Sequence, residues 1–140
     1  MFSTAPDLAR FATWLLDAYR GRLQPDAPLR LPAALVRTFV TRQGLPAGSS
    51  RALGWDTFDC GGSGGHQLSP ASFGHTGFTG TSIWLDPERD LFIILLTNRV
   101  NPNRSNNAIR QVRTAVADLV VTAGGPALAA AGSTPSRCGE

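Results

Sequence analysis

The sequence predicts an α+β domain, an antiparallel sheet of about four strands covered by helices. Apolar residues recur at helical spacing near both ends, at Leu8, Phe11, Leu15 and Tyr19 and again at Ile109, Val112, Val116, Leu119 and Val120. Between them lie short runs rich in aromatic and branched residues, separated by glycine and proline turns, which read as a meander. The size, 140 residues of which 42% are hydrophobic and 16% charged, suits one domain, or a large piece of one, that buries about 68–70% of its unfolded surface.

The first helix starts at Ser3 or Thr4 as N-cap, with Pro6 in the first turn and Asp7 at the positive end of the dipole. Ala12 and Leu16 widen its apolar stripe and Gly21 stops it. Residues 22–32, with Pro25, Pro28 and Pro32, form a loop. A second helix is expected from Pro32 to about Arg42, burying Leu35, Val36, Phe39 and Val40, and ending before Gly44, Pro46 and Gly48. Ala52 to Phe58 reads as a short strand. Gly61-Gly62-Ser63-Gly64-Gly65 reads as a flexible connector or hairpin tip; it lacks the hydroxyl-lysine end of a phosphate cradle. Ser72 to Phe78 is extended and punctuated by glycine. Thr81 to Leu85 is a strand, 86–90 a turn with Pro87, and Leu91 to Thr97 a continuous apolar strand expected to be buried on both faces. After an asparagine-rich turn region, a last helix runs from about Ala108 to Thr122. These elements make one unit, 1–122, and the Ala-, Gly-, Pro- and Ser-rich residues 123–140 are expected to be a disordered tail.

Composition removes several classes of chemistry. All 13 basic residues are arginine, so no Schiff-base lysine, phosphate-loop lysine or Ser-x-x-Lys nucleophile lies in these residues. The net charge is +3, but the arginines are scattered from Arg10 to Arg137, not gathered into a nucleic-acid footprint, so no nucleic-acid partner is expected. Cys60 and Cys138 are neither a disulfide framework nor a metal site. The start of the chain lacks the basic region of a signal peptide, and the longest apolar run, Leu91 to Leu96, is far too short for a membrane span.

Candidate chemistry centres on Phe73-Gly74-His75-Thr76-Gly77-Phe78-Thr79-Gly80. Glycines inside a strand mark either tight packing or the approach of a ligand to the backbone. The functional alternative is an edge strand that pairs with substrate and offers N–H groups to an oxyanion. His66 reads as an exposed loop histidine, Trp55 and Trp84 as core, and Asp86 and Glu88 as solvated turn carboxylates.

Four segments together resemble the serine β-lactamase-like hydrolases, the group of class C β-lactamases, related esterases and D-alanyl-D-alanine peptidases. Phe2 to Phe11 resembles the helix start after their second motif. Ser72 to Thr81 resembles their third motif, Lys-Thr-Gly or His-x-Gly. Asp86-Pro87-Glu88-Arg89-Asp90-Leu91 and the run to Thr97-Asn98-Arg99 are also similar, so the resemblance covers about residues 2–121. It implies the C-terminal portion of that fold and an acyl-enzyme mechanism on an amide or ester substrate, small molecule or peptide, without cofactor or metal. It implies that His75, Thr76, Gly77 and Phe78 form the catalytic wall, with the Phe78 N–H as an oxyanion donor, and that Thr79 and Asn103 contact substrate. The Ser-x-x-Lys and Tyr-x-Asn motifs do not occur: there is no lysine, and the one tyrosine, Tyr19, precedes Arg20-Gly21 on a helix. The resemblance therefore places both motifs upstream of residue 1 and predicts no hydrolysis by these 140 residues alone. The alternative is a non-catalytic interaction module using an exposed sheet edge.

Overall fold

A computed structural model describes residues 2–124. The expected tail lies outside the described residues, apart from Ala123, which closes the last helix, and Gly124. So does Cys138. The elements are α1 (Ala5–Arg20), α2 (Ala33–Val40), β1 (Asp56–Thr57), β2 (Phe73–Thr76), β3 (Ser82–Asp86), β4 (Leu91–Leu95) and α3 (Ile109–Ala123). The four strands form one antiparallel sheet in sequence order, the α+β meander expected. Among the described residues no helix is long and apolar enough to cross a membrane.

The two sheet faces carry separate cores. Because side chains alternate along a strand, Phe73 and Leu85 point to one face and meet Ala12, Leu15 and Leu16 of α1 and Val36 and Val40 of α2. Trp84 and Ile93 point to the other and meet Ala117 of α3 and Leu68. The helical stripes are wider than the surfaces they meet, so Phe11, Leu35, Phe39, Val112 and Leu119, expected on buried faces, are exposed. Strand β4 was expected to be covered on both faces. Only Ile93 is buried, since β4 has a strand neighbour on one side alone among the described residues.

Three further expectations change. The strand foreseen over 52–58 shrinks to Asp56–Thr57, because a turn at Gly54 (φ +85°) folds Ala52 back to donate to the Trp55 carbonyl at 2.9 Å. The second helix stops at Val40, where Thr41 turns extended and its hydroxyl donates to the Arg37 carbonyl at 2.7 Å. The glycine run 61–65 is a packed turn and no flexible connector: Gly65 donates to the Gly62 carbonyl, Gly62 to Asp59, and Thr114 Oγ1 to Gly62. Gly64 lies flat on the Trp84 ring, where a Cβ would stand 3.2 Å from ring carbons. Cys60 beside this turn is engaged in a disulfide.

Asp86, expected to be solvated, is fully buried at the end of β3. Its carboxylate accepts from the Ser69 N–H (2.8 Å) and hydroxyl (2.6 Å), from the Glu88 and Arg89 N–H groups (3.1 and 3.2 Å), and from Arg89 Nη1 (2.8 Å). Arg89 is itself buried, so the charge is both paired and saturated with donors, the condition under which a carboxylate tolerates burial. We predict that Asp86→Ala, which strands the buried Arg89 charge, lowers the unfolding free energy by about 3–5 kcal/mol in urea denaturation.

A second clamp joins the C-terminal end of α1 to the same turn. Arg22 grips Asp90 with two hydrogen bonds of 2.9 Å and also reaches Asp17 at 2.7 Å, while Arg20 contacts Asp90 at 3.1 Å and donates to the Pro87 carbonyl. Asp90 has a left-handed backbone (φ +52°), which aspartate tolerates better than most residues. The hydrogen bond from Arg22, opposed in part by burial and aided by the Arg20 charge, holds the Asp90 carboxyl below its ordinary value. The stabilisation from the ionised group is thus fully present above about pH 4 and is lost as pH falls through the lowered folded-state value. Both partners are solvent-accessible, so Asp90→Asn is expected to cost about 1 kcal/mol or less near neutrality. That deficit should vanish at acid pH, as read from urea midpoints of both proteins across the acid range.

Candidate active site

Strand β2 and the turn after it carry the residues that resemble the third motif. Alternation splits them: His75 projects on the α1–α2 face with Phe73, and Thr76 on the α3 face with Gly74. What they share is the outer edge of β2. Strand β1 pairs with β2 only at Phe73 and Gly74, so from His75 onward that edge has no strand partner among the described residues.

Beyond Thr76 the chain makes a locked turn. Gly77 donates to the Thr81 carbonyl at 2.7 Å and Gly80 to the Gly77 carbonyl at 3.1 Å. Arg113 Nη2, from α3, donates to the Gly77 and Thr81 carbonyls, each at 2.8 Å. Arg99 stacks over the Phe78 ring at 4.5 Å and its Nε donates to the Phe78 carbonyl at 2.8 Å, while its own N–H bonds the Thr79 carbonyl. The carbonyls are thus taken, whereas the Phe78 N–H has no acceptor among the described residues. Phe78 as a whole is 65% exposed, so the residue stands at an open surface.

The glycines of the motif answer to protein atoms. A Cβ on Gly74 would run into the Ile83 carbonyl and the Trp84 ring, and one on Gly77 into the Thr81 hydroxyl. Gly80 adopts φ +120°, a conformation that favours glycine, with Thr97 Oγ1 2.7 Å from where a Cβ would stand. The packing reading of these glycines therefore holds in the structure, and the glycines set the shape of the edge.

The His75 ring is exposed but held at both nitrogens. Nδ1 lies 2.9 Å from the Thr76 carbonyl and Nε2 2.9 Å from Nη1 of Arg51. Arg51 is in turn paired with Asp56 (Nε to Oδ1, 3.1 Å).

On the opposite face Thr76 lines an open cleft of about 720 Å³ with Gly61, Gly62, Ser63, Arg110, Arg113, Thr114 and Asp118. A second hollow of about 410 Å³ joins Thr76, Gly77 and Phe78 to Arg99, Arg110 and Arg113. Burial lowers the Arg113 pKa, and the nearby charge of Arg99 lowers it further; Arg113 Nε is buried without a partner among the described residues. Thr79 is exposed on the turn. Asn103 stands away from both hollows, its Oδ1 accepting from the Ser105 N–H at 3.1 Å. His66 is half exposed, as a loop histidine, but it is fastened: its N–H and Nδ1 lie 2.6 and 2.8 Å from the Asp118 carboxylate on α3. Among the described residues no cluster of His, Cys, Asp and Glu is placed to hold a metal ion.

Sequence reasoning missed Arg51, Arg99, Arg110 and Arg113. Arginines scattered along the chain gave no patch, yet Arg110 and Arg113 are three apart on one helix and so share a face, a signal that was available. Arg51 and Arg99 reach the site through loop geometry, which spacing does not encode. If Arg113 locks the turn, Arg113→Met should raise amide hydrogen exchange at Gly77 and Gly80 by about tenfold or more, the expected size for losing charge-assisted bonds of about 1.5–3 kcal/mol. Exchange at Ile93 should be unchanged.

A family model described as Beta-lactamase matches residues 1–118. Among solved structures, the chain is similar to a β-lactamase from Mycobacterium bovis, with a TM-score of 0.65 and 25% sequence identity. The match covers 86% of this chain and 44% of that one, so the chain spans less than half the length of this structural relative. No curated protein matches it.

Proposed function

The chain belongs to the Beta-lactamase family, and from that premise we propose that it supplies one wall of a serine acyl-transfer cleft acting on amide or ester bonds. The observation that carries this reading is that, among the described residues, the Phe78 N–H has no partner and stands next to an outer edge of β2 with no strand beside it, in a turn whose carbonyls are all engaged. Such a donor, fixed before substrate arrives, stabilises the oxyanion of a tetrahedral intermediate without reorganising.

In this mechanism a serine attacks the acyl carbonyl. The carbonyl π electrons move to oxygen, and the oxyanion is met by the Phe78 N–H and by the nucleophile's own N–H. The proton of the serine hydroxyl passes to its activating base and from there to the leaving group, so that collapse expels an amine or alcohol; water then cleaves the acyl-enzyme, giving the carboxylic acid and restoring the serine. His75 and Thr76 flank the strand edge along which the acyl group lies, and Thr79 contacts substrate beyond it. Arg110 and Arg113 beside Thr76 suit a substrate that carries an anionic group. Asn103, the remaining contact implied by the resemblance, accepts from Ser105 with Oδ1 and would meet a substrate carboxylate with its amide NH2. The activating amine is not encoded here, because the 140 residues include no lysine.

Two outcomes are expected. The purified chain should not turn over a chromogenic cephalosporin or ester above the buffer rate; turnover that His75→Ala abolishes would refute the inactivity, and turnover that survives the change would refute the assignment of the site. Titration with millimolar cephalosporin should shift the amide NMR signals of Thr76, Phe78 and Thr79 first. Shifts confined to other surfaces would sink the acyl-transfer reading.

The outer edge of β4, unpaired among the described residues, favours a second reading, an interaction module that pairs through a sheet edge. Its residues, Leu91-Phe92-Ile93-Ile94-Leu95, carry none of the charges or prolines that guard natural edges. It requires a defined oligomer in sedimentation velocity that dissociates when Ile94 is replaced by lysine.

A further inference from the structure

We propose that Arg51, held by Asp56, is a positioning residue that locks His75 in its Nδ1–H tautomer and supplies the fixed positive charge of the third-motif strand. The inference rests on reading β2 as the wall of the acyl-transfer cleft.

The hydrogen-bond chemistry leaves one consistent assignment. A guanidinium has donors only, so Arg51 Nη1, 2.9 Å from His75 Nε2, donates and Nε2 accepts. A carbonyl has acceptors only, so the proton sits on Nδ1 and is donated to the Thr76 oxygen at 2.9 Å. The two contacts demand the same tautomer, the reverse of the Nε2–H form that a free neutral imidazole prefers. Which nitrogen carries the proton is set by what the other one meets. Asp56 accepts from Arg51 Nε at 3.1 Å, and Arg51 and Asp56 also face each other as a backbone bridge. The side chain is therefore anchored at its base while its end reaches the ring.

The consequence for chemistry is a division of labour. With Nε2 filled by Arg51, His75 is not a free general base in this arrangement. A histidine alone would bring charge to the strand only when protonated; a guanidinium brings one at every working pH and delivers it in a fixed plane. His75 is then the rigid spacer through which that charge faces the edge of β2.

The test uses the 140-residue chain labelled with ¹⁵N in its histidines, near pH 8.5, about two units above the ordinary imidazole value of about 6.5, so that the neutral ring is observed. In the unaltered protein, His75 should show a pyrrole-type Nδ1 and a pyridine-type Nε2. In Arg51→Met the proton should move to Nε2 in most molecules. Arg51→Lys, which keeps a donor, should restore much of the original pattern, and Asp56→Asn should give an intermediate one. Arg51 is half exposed, so the amide spectrum away from residues 50–58 and 73–78 should stay in place and report that the variants are folded. A pyridine-type Nδ1 in the unaltered protein, or ring nitrogens unmoved by Arg51→Met, would overturn the proposal. The unaltered protein alone suffices for the first of these even if a variant fails to fold. No substrate enters the measurement, so failure of the acyl-transfer reading, which the cephalosporin titration reports, is a separate outcome.

Discussion

The buried carboxylate of Asp86 is the constraint on which the sheet depends. It lies where β3 meets the turn into β4 and binds both the turn's N–H groups and Ser69, which leads into β2. One group thus fixes three consecutive segments relative to each other. Burying a charge is tolerable only when its oxygens are satisfied, and here donors from Ser69, Glu88 and Arg89 meet it together. Ser69 and Ser72, both buried, carry this order into the start of β2, and the register of β2 on β3 decides where His75 and Thr76 stand.

The absence of lysine gives the rest of the molecule its character. Arginine side chains fasten carbonyls that strands and helices leave over: Arg20 holds Pro87, Arg42 holds Phe58, Arg99 holds Phe78, and Arg113 holds Gly77 and Thr81. A planar fork with several donors can bridge two acceptors and keep its charge while partly buried, which a lysine ammonium does less well. The turn after β2 is consequently held in place by the side chains of Arg99 and Arg113. On the proposed reading, rigidity at that place is what an N–H donor for an oxyanion requires.

The fold was legible wherever local patterns are strong. The three helices and the meander order follow from apolar spacing, the Thr4 cap, the Gly21 stop and the turn residues around Pro87. Errors arose where long-range contact overrides local rule. Asp86 in a charged turn looks solvated until Ser69 and Arg89 are brought to it. The glycine run 61–65 looks flexible until Trp84 and Asp118 are laid against it. An all-apolar strand looks doubly buried, but β4 has too little around it. At the candidate site the resemblance points to His75, Thr76, Gly77 and Phe78 and is silent on the arginines around them, since Arg51, Arg99 and Arg113 approach from three different parts of the chain.

The geometry also decides how such a site would be approached. His75 and Thr76 are adjacent in sequence and therefore point to opposite faces of the sheet, so no single pocket on one face contains both. Their common ground is the edge of β2. A carbonyl compound aligned with that edge has the Arg51–His75 pair on one flank and Arg110 and Arg113 on the other, with the Phe78 N–H at its end. On the proposed reading the strand is used edge-on: the backbone binds the acyl group, and side chains of both faces only supply charge around it. An arrangement of that kind depends less on the identity of any one side chain than on the strand's exposed register. This accounts for a wall whose conformation is secured by glycines and carbonyl-binding arginines, and whose reacting partner must come from the open side.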